Sequence, residues 1–294
     1  MSRHLVQRIA AAVPLLLAVG MLAALLVVPA TAQASGGGGY LYSSFGLGDW
    51  NGDGHADIVA RNNTTGDLWL YPGSGGRGFI STPRVQIGTG WNGYSAFGLG
   101  DWNGDGRADI VARNNSSGDL WLYPGSGGGG FGARVQIGTG WNDYSFFGMG
   151  DWNGDRINDI VARNNNSGDL WLYPGSGGGG FGARVQIGTN WNSYWAAGLG
   201  DWDGDGITDI VTEQNTGDLW LYPGIGGGFF GARVRLFTFF GINTPFGVVD
   251  WDGDGHTDFI VRDDNTGDLD LAPGSGGRDP LDGYLGTVIG TGWK

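Results

Sequence analysis

The sequence predicts an all-β protein: a β-propeller of about five four-stranded blades, with an acidic loop in each blade. Three observations carry this. An Asp-Trp-[Asn/Asp]-Gly-Asp segment begins at Asp49, Asp101, Asp151, Asp201 and Asp250, so the copies lie 52, 50, 50 and 49 residues apart. A repeat near 50 residues marks a solenoid or a propeller. The 63 glycines and 10 prolines recur at fixed places between alternating apolar runs, which is turn chemistry of a β-protein and not a disordered tract. Glu and Lys, both helix formers, occur once each, at Glu213 and Lys294.

The first 34 residues form a separate object. Arg3 and Arg8 precede an apolar run over 9–28, and small-x-small patterns end at Ala32 and Ala34. This reads as a secretory signal peptide cut after Ala34, with a secreted, extracellular mature chain; the alternative is an uncleaved membrane anchor. A Gly-rich linker follows over 35–39, and the repeats run over 40–294, at about 42–93, 94–143, 144–193, 194–243 and 244–294.

Each repeat offers four strands. In the second copy these are "YSAFGLG" (94–100), "DIVARN" (109–114), "DLWLYPG" (119–125) and "ARVQIGTGW" (133–141). Along the third strand Trp121 and Tyr123 face one way and Leu120 and Leu122 the other, so both faces are apolar. That suits a sheet sandwiched between neighbouring blades. The chain starts on a first strand and ends on a fourth, so no strand is displaced to close the ring. Closure then rests on face packing alone, or an open arc self-associates. Residues 118–139 and 168–189 are identical, a sign of recent duplication, so the diverged fourth and fifth copies are more informative. Both keep the acidic loop.

Within that loop, oxygens at positions 1, 3, 5 and 9 and the carbonyl at position 7 can converge on one small sphere. The residues are Asp49, Asn51, Asp53, His55 and Asp57; Asp101, Asn103, Asp105, Arg107 and Asp109; Asp151, Asn153, Asp155, Ile157 and Asp159; Asp201, Asp203, Asp205, Ile207 and Asp209; and Asp250, Asp252, Asp254, His256 and Asp258. Crowded carboxylates repel until a dication sits among them, and hard oxygen ligands at this spacing suit Ca²⁺. The competing reading is a set of Asx turns without metal. Position 12 carries no Glu and a strand follows, so the loop is not an EF-hand. Loops four and five carry four carboxylates and are expected to bind most tightly. The third has Arg156 where the others have Gly54, Gly106, Gly206 and Gly255, and is expected to be weakest.

The pattern D-x-[DN]-G-D-G-x-x-D-[IF], preceded by "FG-x-G" as at 45–48, resembles the FG-GAP or VCBS repeat. It is similar to the calcium-binding blades of integrin α-subunit propellers and of some bacterial and fungal lectin-like propellers. The resemblance implies a propeller with Ca²⁺ in the loop between the first two strands of each blade, held by loop positions 1, 3, 5, 7 and 9.

A net charge of −13 argues against nucleic acid as partner. The absence of cysteine excludes disulfides and thiol catalysis. His55 and His256 lie inside the acidic loops and the aspartates are committed there, so the chain reads as a binding module and not an enzyme. A polysaccharide-active enzyme and a protein-interaction or structural scaffold are the alternatives. Trp91, Trp141 and Trp191 follow the fourth strand with Asn92, Asn142 and Asn192 beside them. Indole faces stack on sugars and amides bond hydroxyls, so these six residues are the candidate carbohydrate contacts, with blade-edge packing as the other reading of the tryptophans.

Overall fold

The computed structural model describes residues 40–79, 83–238, 243–278, 281 and 286–294. The leader and linker readings over 1–39 lie outside the described residues. Blade 1 comprises β1 (Tyr42–Gly48), β2 (Asp57–Asn62), β3 (Leu68–Tyr71) and β4 (Val85–Gly88). Blade 2 has β5 (Tyr94–Gly100), β6 (Asp109–Asn114), β7 (Leu120–Tyr123) and β8 (Val135–Gly138). Blade 3 has β9 (Tyr144–Gly150), β10 (Asp159–Asn164), β11 (Leu170–Tyr173) and β12 (Val185–Gly188). Blade 4 has β13 (Tyr194–Gly200), β14 (Asp209–Gln214), β15 (Leu219–Tyr222) and β16 (Val234–Phe237). Blade 5 has β17 (Asn243–Val249), β18 (Asp258–Asp263), β19 (Leu269–Ala272) and β20 (Thr287–Gly290). Each blade is a four-stranded antiparallel meander in sequence order. Among the described residues no helix is long and apolar enough to cross a membrane.

The core is not central. It is divided among the five seams between blades, as two apolar faces per sheet require. Leu120 and Leu122 of β7 pack with Trp102, Trp141 and Ile160 in the seam to blade 3. Tyr123, on the opposite face, packs with Trp50, Leu68 and Trp91 in the seam to blade 1. The first strands lie against one another around the axis, β17 against β1 included. The glycine of each "FG-x-G" permits this approach: a Cβ at Gly46 would stand 2.4 Å from the Cβ of Leu99, and one at Gly247 would stand 2.4 Å from Cδ1 of Leu47.

The ring therefore closes within one chain, and among the described residues every blade is built from four consecutive strands. The seam from blade 5 to blade 1 holds Phe246, Trp251, Ile260 and Trp293 against Tyr42, Ile58 and Ala60. Trp293 tilts on Tyr71 with ring centroids 4.5 Å apart, as Trp91 does on Tyr123 in the next seam.

An arginine on the second strand, buried in three blades and half-buried in blade 2, clasps each seam but one. Arg61 Nη1 donates to the carbonyls of Trp91 (3.2 Å) and Tyr94 (2.6 Å) in the chain entering blade 2. Arg113 and Arg163 repeat this with Trp141 and Tyr144, and with Trp191 and Tyr194. Arg262 reaches the Tyr42 carbonyl at 2.9 Å and closes the ring. Blade 4 has Glu213 at this position. Burial, and then the charge of Asp264 across the seam, push the Glu213 carboxyl up to about 7.

A carboxyl whose folded pKa is raised contributes stability at low pH that is lost as pH rises through that pKa. Glu213→Arg restores the clasp and removes the repulsion with Asp264. A charge-assisted bond of about 2 kcal/mol corresponds to a melting temperature higher by roughly 4–8 °C. We expect a larger gain at pH 8 than at pH 5 by calorimetry. An equal gain at both values would show that Glu213 ionisation does not weaken this seam.

Candidate functional site

Each acidic loop joins the first strand of a blade to the second. The chain wraps round two carboxylates. In loop one, Asp49 at position 1 accepts backbone N–H bonds from Gly52 and Asp53 on Oδ1 and from Gly54 on Oδ2, at 2.7–3.0 Å. Asp53 accepts the N–H of His55 at 2.9 Å. Asp57 at position 9 accepts from Trp50 and Asn51 on Oδ2, and from Gly73, at the end of the third strand, on Oδ1. The last of these ties the loop to the rest of its blade. The same three bonds recur at Asp109, Asp159, Asp209 and Asp258.

The five position-9 aspartates are 0% exposed. Burial raises every one of these carboxyls, to about 6 at Asp57 and Asp159 and about 7 at Asp209. The backbone N–H groups pull the other way, and no arginine or lysine among the described residues pairs with these carboxylates. The tryptophan at position 2 carries the loop into the seam: Trp50, Trp102, Trp152, Trp202 and Trp251 are at most 1% exposed. Four stand near the phenylalanine of the next blade's outer hairpin, at ring distances of 5.1–6.4 Å. Loop geometry and ring packing are thus coupled.

In loops one and three the asparagine amide donates to Asp53 and Asp155, at 3.0 and 3.1 Å. Loops four and five have no such donor. Carboxylate oxygens of Asp201, Asp203 and Asp209, and of Asp250, Asp252 and Asp254, gather within 4.8 Å. Asp201 Oδ1 and Asp252 Oδ1 are out of solvent without a hydrogen-bond partner. An orphaned buried carboxylate oxygen among other carboxylates fits a hard cation.

Trp91, Trp141 and Trp191 do not have the open indole faces expected of sugar contacts. They are 4–5% exposed. Each opens a short 3₁₀ turn whose N–H donates to a glycine carbonyl of the preceding blade, and each ring tilts on the third-strand tyrosine of the next blade at 4.5–4.6 Å. Hydrophobic burial between blades takes these rings. Asn92, Asn142 and Asn192 are exposed, with their amides over Gly66, Gly118 and Gly168.

A different set of residues forms a repeated surface cluster. Arg84 lies over the Trp69 ring at 4.2 Å, and its Nη1 donates to the hydroxyls of Tyr42 and Tyr71. Blades 2, 3 and 4 repeat this with Arg134, Arg184 and Arg233 over Trp121, Trp171 and Trp220 at 3.9–4.1 Å, each bonded to two tyrosines. All four arginines are exposed. Burial pushes Tyr71, Tyr123, Tyr173 and Tyr222 up to about 12, so they stay neutral. Blade 5 loses the cluster as a unit, with Asn243, Asp270, Ala272 and Gly286 at the four positions. The signal was present in sequence as a Phe-Gly-Ala-Arg segment at 131–134, 181–184 and 230–233, but only the fold brings the arginine onto the tryptophan.

The architecture is that of a five-bladed propeller with an acidic loop in every blade. The profile of the FG-GAP-like repeat matches residues 49–112, 101–162 and 151–212, together more than half of the sequence, and the chain belongs to this family. No curated protein sequence matches. Among solved structures the chain is similar to a lectin of Agrocybe aegerita that recognises non-reducing terminal N-acetylglucosamine, with 19% identity, a TM-score of 0.48, and coverage of 87% of this chain and 67% of the other. It is similar to the Photorhabdus luminescens Tc holotoxin pore at 20% identity and TM-score 0.46, covering 73% of this chain and 10% of the toxin chain. The Dos1 propeller is a third, at 12% identity and TM-score 0.37, with 84% and 58% covered.

Loop three departs from the other four at position 6. Arg156 has φ 70° and its N–H donates to Asp151 Oδ2 at 2.8 Å, so it keeps the left-handed turn that Gly54 makes at φ 86°. A side chain in that region costs about 1–2 kcal/mol. Arg156→Gly is expected to raise melting temperature by roughly 2–8 °C and to strengthen divalent-ion uptake at one site. Unchanged values of both would show that Arg156 does not limit loop three.

Proposed function

We propose that the protein is a calcium-stabilised propeller that acts outside the cell as a multivalent binding module for carbohydrate or cell-surface material. Five Ca²⁺ in the acidic loops would offset ten of the negative charges, and millimolar extracellular Ca²⁺ matches sites of modest affinity. The buried, unpartnered oxygens of Asp201 and Asp252 support cation binding. On this reading the metals are structural, and the loops are not themselves the recognition surface.

One observation carries the binding reading: the same Arg–Trp–Tyr–Tyr cluster stands on four blades of one ring. Each presents an exposed guanidinium next to tyrosine hydroxyls and a half-buried indole, groups that together bond sugar hydroxyls and carboxylates and cover an apolar sugar face. Weak sites repeated on one body gain avidity. On this reading the clusters replace Trp91, Trp141 and Trp191 as the aromatic contacts. A scaffold that binds no glycan is the competing reading.

A glycan array in millimolar Ca²⁺, with the wild type and the quadruple Arg84, Arg134, Arg184 and Arg233→Ala variant, separates the two. We expect saturable binding by the wild type, reduced at least about tenfold in the variant by loss of avidity, with melting temperature showing the fold retained. No glycan signal from the wild type would favour the scaffold.

A further inference from the structure

The outer hairpin of each blade, between its third and fourth strands, lies over the acidic loop of the preceding blade. Gly127, Gly177, Gly276 and Gly75 place their carbonyls against Gly52, Gly104, Gly204 and Gly253, and Gly227 donates its N–H to the Asn153 carbonyl. One hairpin position varies with the loop it covers. Gly129, Gly179 and Gly228 cover loops with Asn51, Asn103 and Asn153 at position 3. Arg278 and Arg77 cover the two loops with Asp203 and Asp252 there. Asparagine at loop position 3 always goes with glycine at this hairpin position, and aspartate always goes with arginine.

The side chains meet. Arg278 Nε donates to Asp203 Oδ2 at 2.5 Å, and its Nη2 stands 3.9 Å from Asp205. Arg77 Nε donates to Asp252 Oδ2 at 3.3 Å. Asp203 and Asp252 have side chains only 4% and 9% exposed, while both arginines are more than half exposed. Asp252 thus gives one oxygen to the arginine and keeps Oδ1 buried and unpartnered within the loop. Counted with its arginine, each four-carboxylate loop carries the same formal charge, −3, as the three-carboxylate loops one and two without counting Arg107.

We propose that Arg77 and Arg278 set the cation affinity of the loop in the neighbouring blade. Each cancels the fourth carboxylate and holds it in the ligand position from across the seam. The extra aspartate therefore does not make loops four and five the tightest sites; it exchanges charge within the loop for a tie between blades. The two ties fall at the seam that lacks the arginine clasp (blade 4 to blade 5) and at the seam that closes the ring (blade 5 to blade 1). This inference rests on the loops taking Ca²⁺.

The test is calcium titration of the full-length protein by calorimetry, for wild type, Arg278→Gln, Asp203→Asn and the double variant, with the Arg77 and Asp252 set in parallel. Melting in chelator serves as a second readout. Removing the arginine should tighten one site about tenfold and lower the melting temperature in chelator. Asp203→Asn alone should weaken that site, and the double variant should return to within about threefold of wild type, since a neutral pair recreates loop two. Unchanged affinity in Arg278→Gln, or a double variant no tighter than Asp203→Asn alone, would overturn the inference while leaving the calcium reading intact. A wild type that takes up no Ca²⁺ would overturn the calcium reading, and the inference with it.

Discussion

The position-9 aspartate is the constraint on which the blades depend. Asp57 and its four counterparts are fully buried, and each receives backbone N–H groups from its loop and from the end of the third strand. That one carboxylate fixes where the loop turns, where the second strand begins, and where the third strand ends. It also presents an electrostatic problem: a buried charge must be protonated, paired or metal-bound. No arginine or lysine among the described residues forms an ion pair with it, and burial raises its carboxyl to about 6 or 7 in three of the five copies.

Because the position-2 tryptophan leaves the same loop for the seam, the state of the loop reaches the packing between blades. Trp50 and Asp57 are seven residues apart, and the Trp50 N–H is one of the donors to that carboxylate. A propeller without a displaced closing strand needs such links. Here they are the arginine clasps, the rings of Trp91, Trp141, Trp191 and Trp293, and the glycine contacts at the axis. Seam 4 to 5 has traded its clasp for Glu213 and its third-strand tyrosine for Ala272, and it is held instead by Arg278 on Asp203.

Much of the fold was legible in the chain. The first two strands of blade 2 begin and end where the alternation places them, at Tyr94–Gly100 and Asp109–Asn114. Strands three and four are shorter than the apolar runs suggest, since Pro124 and the glycine loop end the ladder and Trp141 turns into a 3₁₀ segment. The acidic loop was legible because its partners lie within nine residues. What was not legible is long-range. The Trp91 ring is buried by Tyr123 of the next blade, Arg278 meets Asp203 across 75 residues, and Arg262 meets Tyr42 across 220. Local pattern identifies the residue type at such positions without revealing which surface will cover it.

The central claim is that the buried loop carboxylates are kept ionised by Ca²⁺, and melting of the wild type at pH 5 and pH 7.5, in chelator and in millimolar Ca²⁺, tests it most directly. The folded pKa of Asp57, Asp159 and Asp209 lies above the ordinary value of 3.8, so their contribution in chelator is present at low pH and lost as pH rises through 6 to 7. The chelated protein should therefore melt lower at pH 7.5 than at pH 5. Calcium requires the deprotonated form, so it should abolish that fall and raise the melting temperature at pH 7.5 by at least about 10 °C. Melting curves that coincide with and without Ca²⁺ at both pH values would contradict the account.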